Sequence, residues 1–145
     1  MKIVFALLLI IAIAGVRSSH LLTPKDSDEL LSHLQGNNYN IYILFFQNPQ
    51  TTDERMKDAN KDIEGRLGTV LSDNPEIFYA KIDASNEKFK KLASVVGVTS
   101  TPAVLLIVHG KGVWLSGTNS FLMTDRLQDF LPAFKQSSAH HSNPY

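Results

Sequence analysis

The sequence predicts an α/β fold in which a central mixed β-sheet is flanked by helices. Residues 78–83 alternate apolar and more polar side chains, as in a strand with one buried face, and residues 103–108 form a continuous apolar strand. Between them, residues 86–96 carry apolar side chains at helical spacing. A glycine-containing turn then indicates a hairpin after residue 108. A crossover helix joins parallel strands and a hairpin joins antiparallel ones, so the sheet is expected to be mixed, with helices on both faces.

The helix between these two strands has recognisable ends. Asp83, Ser85 or Asn86 can cap its N-terminus, and Gly97 lies where a left-handed C-terminal cap belongs. Its apolar face is predicted to consist of Phe89, Leu92, Ala93 and Val96. Thr101-Pro102 then precedes the apolar strand, which makes this an unusual order of parts.

The N-terminal part of the domain contributes another helix and the most apolar strand. Ser27 or Asp28 is predicted to cap the helix, and its buried stripe is formed by Leu30, Leu31 and Leu34. Residues 39–46 are rich in β-branched and aromatic side chains and are nearly continuously apolar. They predict a central strand that is covered on both faces.

A further helix is predicted after the loop that follows this strand. Thr51 and Glu54 have the spacing of a capping box. Gly65 and Gly68 weaken the helix, which predicts a bend or an end near Leu67. Its apolar face is predicted to comprise Met56, Ala59, Ile63, Leu67, Val70 and Leu71.

The C-terminal part is predicted to contain a hairpin and a last helix. Residues 109–112 form the turn, and residues 113–116 form the returning strand. Thr124-Asp125 is expected to cap the helix, and Pro132 to kink or fray its end. The apolar face of this helix is predicted to consist of Leu127, Phe130, Leu131 and Phe134.

Length and composition indicate one globular domain, assigned to residues 22–135, with a flexible polar tail at residues 136–145. The 145-residue chain has a formal net charge of zero, which gives no basic field for nucleic acid. It contains no cysteine, so it has no thiol for redox chemistry, for a disulfide or for a thiolate metal site. No cofactor and no metal are predicted.

Residues 1–18 have the features of a secretory signal peptide. Met1-Lys2 precedes an unbroken apolar run, expected to be helical, that begins at Ile3 and ends at Val16. The run is shorter than the roughly 20 residues that comfortably span a bilayer. A short uncleaved anchor, with this run in contact with the membrane, is the competing interpretation. The expected location is the secretory pathway, either the endoplasmic reticulum lumen or outside the cell, or else the non-cytoplasmic side of a membrane.

The order of parts between residues 78 and 108 resembles the thioredoxin family, in particular the redox-inactive thioredoxin domains of the protein disulfide isomerase kind that lack Cys-x-x-Cys. The resemblance is carried by the strand at residues 78–83, the Gly97-Val98 turn, Thr101-Pro102 with its following strand, and the turn between Gly110 and Gly112. It covers about residues 22–135. It implies a thioredoxin fold in which the bond between Thr101 and Pro102 is cis.

The redox motif of that family is degenerate in this chain. In the family, Cys-x-x-Cys lies at the start of a helix, which lowers the pKa of the first thiol. The resemblance assigns Gln50, Thr51, Thr52 and Asp53 to these four positions. It also assigns Leu44 to the position of a buried acid that assists proton transfer. Two parts of the redox machinery are therefore absent, and the chain is expected not to be an enzyme.

The proline that the resemblance implies to be cis leads to a binding hypothesis. Its geometry leaves the backbone of the preceding residue available to an extended peptide. The predicted docking site comprises Pro49, Gln50, Thr51, Thr101 and Pro102. The competing interpretation is that Pro102 only shapes its loop.

Two non-catalytic functions remain open at this stage. The first is a thioredoxin-like module of the secretory or membrane system that binds a peptide or protein. The alternative is a structural accessory subunit of a membrane protein complex, held by an uncleaved N-terminal helix. Enzymatic chemistry without thiols has no support, because no histidine that could act as a base is near Thr51 or Thr52 in the sequence.

Overall fold

The computed structural model describes residues 20–142, so the predicted signal peptide or anchor at residues 1–18 lies outside it. The strands within these residues are β1 (His20–Leu21), β2 (Ile41–Gln47), β3 (Phe78–Asp83), β4 (Ala103–Val108) and β5 (Lys111–Ser116). They form one sheet in the order β1-β3-β2-β4-β5. β1, β3 and β2 run parallel, whereas β4 is antiparallel to β2 and β5 is antiparallel to β4. The predicted mixed sheet is confirmed.

Helices cover both faces of this sheet. Within the described residues they are α1 (Ser27–Leu34), α2 (Glu54–Asp73), α3 (Lys90–Val96) and α4 (Ser120–Ser142). α2 and α4 pack on one face, against Ile43 and Phe45 of β2, and α1 and α3 pack on the other, against Leu44 and Phe46. Every residue of β2 is buried, as its apolar sequence predicts. The α/β class is confirmed.

None of the helices between residues 20 and 142 is both long enough and apolar enough to cross a membrane.

α1 is capped by Asp26, so the prediction of Ser27 or Asp28 as the cap is wrong. The Asp26 carboxylate accepts a 3.0 Å hydrogen bond from the backbone N–H three residues later. Ser27 is buried instead, and its hydroxyl donates to the carbonyl of Lys88 at 2.8 Å and accepts from the N–H of Leu92 at 2.9 Å. These bonds join α1 to the region of α3, so a local capping pattern could not reveal them.

The segment between β3 and α3 follows the prediction at both ends. Of the three candidate caps, Asn86 caps the 3₁₀ turn Glu87–Phe89, and its side chain accepts a 3.0 Å bond from the N–H of Lys88. α3 continues directly from this turn. It ends at Gly97, which has a φ of 82°, the left-handed conformation that the sequence predicts.

The sequence predicts a bend or an end of α2 near Leu67; the helix does not end there but continues to Asp73. Gly65 and Gly68 are exposed, and apart from their chain neighbours and the adjacent helix backbone no described atom lies within 4 Å of the position that a Cβ would take at either. Leu67 and Val70 remain buried against the sheet. The burial of these apolar side chains outweighs the low helix propensity of the two glycines.

Both edges of the sheet differ from the prediction. The sequence does not predict β1, which pairs with Phe78 and Tyr79 but is too short to show an alternating pattern. At the other edge, β5 begins at Lys111, because the hairpin turn consists only of His109 and Gly110. These two residues have φ values of 48° and 79°, as the tightest hairpin turns require.

α4 begins at Ser120, so the predicted cap at Thr124-Asp125 is wrong. The Asn119 side chain accepts a 3.0 Å bond from the N–H of Leu122, whereas the Thr124 hydroxyl donates to the carbonyl of Ser120 inside the helix at 2.9 Å. Phe130, predicted to face the core, is 39% exposed.

α4 also continues through Pro132 and through residues 136–142, where the sequence predicts a tail. The hydroxyl of Ser138 donates a 2.5 Å hydrogen bond to the carbonyl of Tyr39. This bond attaches the last turns of α4 to the segment before β2, which is distant in sequence.

Candidate functional site

The loop that joins β2 to α2 contains the four positions of the degenerate motif. The side-chain oxygen of Asn48 accepts a 2.9 Å hydrogen bond from the N–H of Gln50. The backbone carbonyl of Asn48 accepts a 3.3 Å bond from the N–H of Thr51. Asn-Pro sequences favour such turns, because the Asn side chain can bond to the backbone two residues later. The loop after β2 is therefore shaped by its own short-range hydrogen bonds.

Asp53 caps α2, so the predicted capping box of Thr51 and Glu54 is wrong. The Asp53 carboxylate accepts a 2.9 Å bond from the N–H of Arg55, while the Thr51 hydroxyl accepts a 3.3 Å bond from the N–H of Asp53. Glu54 pairs with Lys57 at 3.3 Å on the surface. Thr51 thus supports the residue that caps the helix.

The peptide bond between Thr101 and Pro102 is cis, as the resemblance implies. Beside it lies a cavity of about 250 Å³, which we call the cis-proline pocket. Its lining residues are Asn48, Thr51, Met56, Asn60, Ser100, Thr101 and Pro102. Three of the five predicted docking residues, Thr51, Thr101 and Pro102, therefore meet at one cavity.

The remaining predicted residues lie elsewhere around the loop. Pro49 and Thr51 line a second depression, of about 340 Å³, which also contains charged side chains of α2. Gln50 and Thr52 are exposed and line neither cavity. The carboxylate of Asp53 is used as the N-cap of α2.

Thr101 is half-buried and lines the cis-proline pocket. Between residues 20 and 142, no protein hydrogen bond uses its N–H or its C=O. The carbonyl of Pro102, in contrast, accepts a 3.3 Å bond from the N–H of Gly117. Backbone groups are strong donors and acceptors that are usually paired in folded proteins, so this unused pair is a feature that distinguishes Thr101.

Asn60 is a pocket residue that the sequence analysis did not identify. It follows buried Ala59 on α2, is 8% exposed and lines both cavities. Its Oδ1 has no hydrogen-bond partner among the described residues. The sequence does contain a signal for Asn60. It lies four residues after Met56 and three before Ile63, so it is a polar residue on an otherwise apolar stripe.

Within residues 20–142, the surroundings of the pocket include no cysteine, and the position that the resemblance assigns to a buried acid is apolar. Leu44 is fully buried in the apolar cluster beneath α1 and α3, where a proton-transferring acid would have no polar surroundings. No group of three or more His, Asp or Glu side chains in this part of the chain is arranged to hold a metal ion. The side chains that line the pocket can form hydrogen bonds, and together they give it a defined shape.

Comparison with solved structures relates this architecture to known proteins. The chain matches the long form of thioredoxin f from spinach chloroplast with a TM-score of 0.62 and 15% identity, over 84% of this chain and 90% of that one. The chain has the thioredoxin fold. A thioredoxin from Trypanosoma brucei brucei matches with a TM-score of 0.58 and 16% identity, over 81% of this chain and 94% of that one.

A third match lies in the structure of ferredoxin:thioredoxin reductase in complex with thioredoxin f2. It has a TM-score of 0.60 and 16% identity, over 79% of this chain and 96% of that one. No protein-family model matches the sequence, and no curated protein matches it. Within the thioredoxin fold of this chain, the cis-proline pocket lies between the β2–α2 loop and the loop before β4.

Proposed function

We propose that this chain is a non-catalytic thioredoxin-fold module that binds an extended segment of a peptide or protein at the cis-proline pocket. The observation that carries the proposal is the unused backbone N–H and C=O of Thr101, next to Thr51 and Pro102. Extended peptides are commonly bound through main-chain hydrogen bonds, with pockets that accept alternate side chains. Thr101 supplies the first of these features, and the cis-proline pocket supplies the second.

The non-catalytic part of the proposal follows from the composition and from the bonds of the loop. The chain has no cysteine, and Thr51 and Asp53 are engaged in forming the start of α2. A hydroxyl nucleophile would need an adjacent base. In an insulin-reduction assay with added dithiol, we expect no rate above that of the dithiol alone. Turnover that depends on this chain would contradict this part of the proposal.

The proposed setting is the secretory pathway or the non-cytoplasmic side of a membrane. It is supported by the lysine and the apolar run at the N-terminus of the sequence. If that segment is cleaved, the module is lumenal or secreted; if it stays, the module is an accessory subunit of a membrane complex. Mass analysis of the N-terminus of the mature protein separates the two, since a chain that starts near Ser19 excludes the anchored subunit.

Peptide binding can be tested without knowing the natural partner. A phage-displayed library of linear peptides is selected against the immobilised chain, and a selected peptide is then titrated into the ¹⁵N-labelled protein. We expect the largest amide shifts at Thr51, Ser100 and Thr101. Shifts confined to another surface, such as the apolar groove between Leu34 and Trp114, would contradict docking at the cis-proline pocket.

A pair of variants provides the matched control. Thr51→Arg places a long charged side chain in the pocket, whereas Thr52→Arg adds the same charge to the adjacent exposed residue, which does not line it. We expect Thr51→Arg to weaken binding of the selected peptide by at least about tenfold, and Thr52→Arg to change it by less than about twofold. Equal effects would indicate that the peptide does not enter the pocket.

A further inference from the structure

The cis-proline pocket is bordered by uncharged side chains. Asn48, Thr51, Met56 and Ser100 line it together with Asn60. The charged side chains of this part of α2, among them Lys57, Asp58 and Lys61, line the second depression instead. A charged group that entered the cis-proline pocket would lose part of its hydration without gaining a counter-charge from the side chains that line the pocket.

Asn60 is the member of this pocket whose hydrogen bonding is incomplete. It is more than nine-tenths buried, with 8% of its surface exposed, and its Oδ1 has no partner within the described residues. Buried polar groups in native proteins are almost always paired, so an unpaired carboxamide in a pocket wall calls for an explanation.

Packing of the core does not supply that explanation. Ala59 and Ile63, the nearest buried neighbours of Asn60 on α2, are apolar. An apolar side chain at position 60 would bury the same surface and leave no amide unpaired. The unpaired Oδ1 of Asn60 is therefore explained by a ligand that enters the pocket and donates a hydrogen bond to it.

We propose that the cis-proline pocket accepts an uncharged side chain that donates a hydrogen bond, namely the carboxamide of an Asn or Gln in the bound peptide. This inference rests on the proposed function, because the peptide has to lie along Thr101 for one of its side chains to enter. A carboxamide both donates and accepts, so it complements Asn60 whichever end of the Asn60 amide faces the pocket. An apolar side chain of the same shape leaves Asn60 unpaired, and a carboxylate adds an uncompensated charge.

The test uses the peptide selected against the chain. The peptide residue that shows nuclear Overhauser contacts to Met56 is replaced in turn by Asn, Leu and Asp, which have nearly the same shape. We expect the Asn peptide to bind at least about tenfold more tightly than the other two. In the variant Asn60→Leu, we expect the preference to change to the Leu peptide. A peptide that docks at Thr101 with equal affinity for Asn and Leu overturns this inference and leaves the proposed function intact.

A second measurement does not depend on any peptide. Propionamide is titrated into the ¹⁵N-labelled chain, with propionate as the matched probe of the same size. We expect propionamide, but not propionate, to shift the side-chain amide signals of Asn60. Such a shift without peptide docking at Thr101 supports the pocket chemistry and contradicts the proposed function. Equal responses to the two probes overturn the inference.

Discussion

The hydroxyl of Ser27, on α1, accepts a 2.9 Å hydrogen bond from the backbone N–H of Leu92, in the first turn of α3. It also donates to the carbonyl of Lys88 at 2.8 Å. Phe89, which occupies the N-cap position of α3, makes no side-chain capping bond. Ser27 therefore satisfies one of the free N–H groups at the start of α3 from a different helix, a task normally performed by the N-cap residue itself.

Removal of this hydroxyl should destabilise the fold. Ser27→Ala leaves the N–H of Leu92 and the carbonyl of Lys88 without their partner in a buried site, so we expect the free energy of unfolding to fall by about 2 kcal/mol. The control is Ser32→Ala on the same helix, whose exposed hydroxyl donates to the carbonyl of Glu29. We expect a change below about 0.5 kcal/mol there. Urea unfolding measures both, and equal losses would show that Ser27 does not link the helices.

Asp53 is expected to contribute to stability as the cap of α2. Asp53→Ala removes the acceptor of the Arg55 N–H, so we expect a loss of about 1 kcal/mol in the free energy of unfolding. Asp53→Asn retains a capping oxygen and should lose less than half of that. Thermal unfolding of the two variants provides the comparison. If Asn is as costly as Ala, the charge of Asp53 matters more than its hydrogen bond.

Tyr79 should reduce stability at alkaline pH. Burial raises the pKa of its phenol above the ordinary value of 10.0, and the charge of Glu64 raises it further. Above about pH 10 the unfolded chain loses this proton while the folded chain keeps it, so the free energy of unfolding falls as pH rises from there. Below that pH the contribution of this phenol is constant. Urea unfolding at several pH values on both sides of pH 10 would measure the slope.

Tyr79→Phe is the variant that tests this account. The Tyr79 hydroxyl has no hydrogen-bond partner among the described residues, so we expect its removal to stabilise the protein by about 1 kcal/mol near neutral pH and to reduce the alkaline slope. Tyr42→Phe is the matched control, because the Tyr42 hydroxyl donates to the carbonyl of His33 at 3.2 Å. That variant should be destabilised. A loss of stability in Tyr79→Phe would mean that its hydroxyl is paired.

Two glycines should respond in opposite directions to the same substitution. Gly68 is exposed in the middle of α2 with no atom within 4 Å of a Cβ, so Gly68→Ala should raise the free energy of unfolding by about 0.5–1 kcal/mol. At Gly112, in β5, a Cβ would lie 2.8 Å from the carbonyl oxygen of Leu106. Gly112→Ala should therefore destabilise the protein by about 1–3 kcal/mol. Thermal unfolding of both variants would show the contrast, and a shift of the same sign in both would contradict this account.

Much of the architecture could be predicted, because its signals are local. The buried strand β2, the Asn86 cap and the left-handed Gly97 each depend on residues within one turn or one strand. The cap of α1 and the ends of α4 were predicted wrongly, and α2 does not have the end near Leu67 that was one of its two predicted outcomes. In those cases contacts with distant segments decided the outcome. Ser27 is held by bonds to the region of α3, α2 buries Leu67 and Val70 against the sheet, and the end of α4 bonds to the segment before β2.

The residues of the candidate site were also predicted only in part. The resemblance led to Thr51, Thr101 and Pro102, which the fold brings together, although they are far apart in the chain. It did not lead to Asn60, because the sequence shows its place on the apolar stripe of α2 but does not show that it lines a pocket. The unused backbone of Thr101 could not be seen in the sequence either, since hydrogen-bond partners are assigned only by tertiary structure.

The sequence by itself determined the absence of thiols, the order of strands and helices from α1 to α4 and most of the apolar faces on which they pack, because composition and periodicity are properties of the chain alone. Only the tertiary structure decided that the Ser27 hydroxyl bonds to the start of α3, that α2 continues to Asp73 and that Asn60 is buried beside a pocket. The physical reason is that burial and hydrogen-bond pairing depend on which distant segments meet, and a linear pattern does not contain that information.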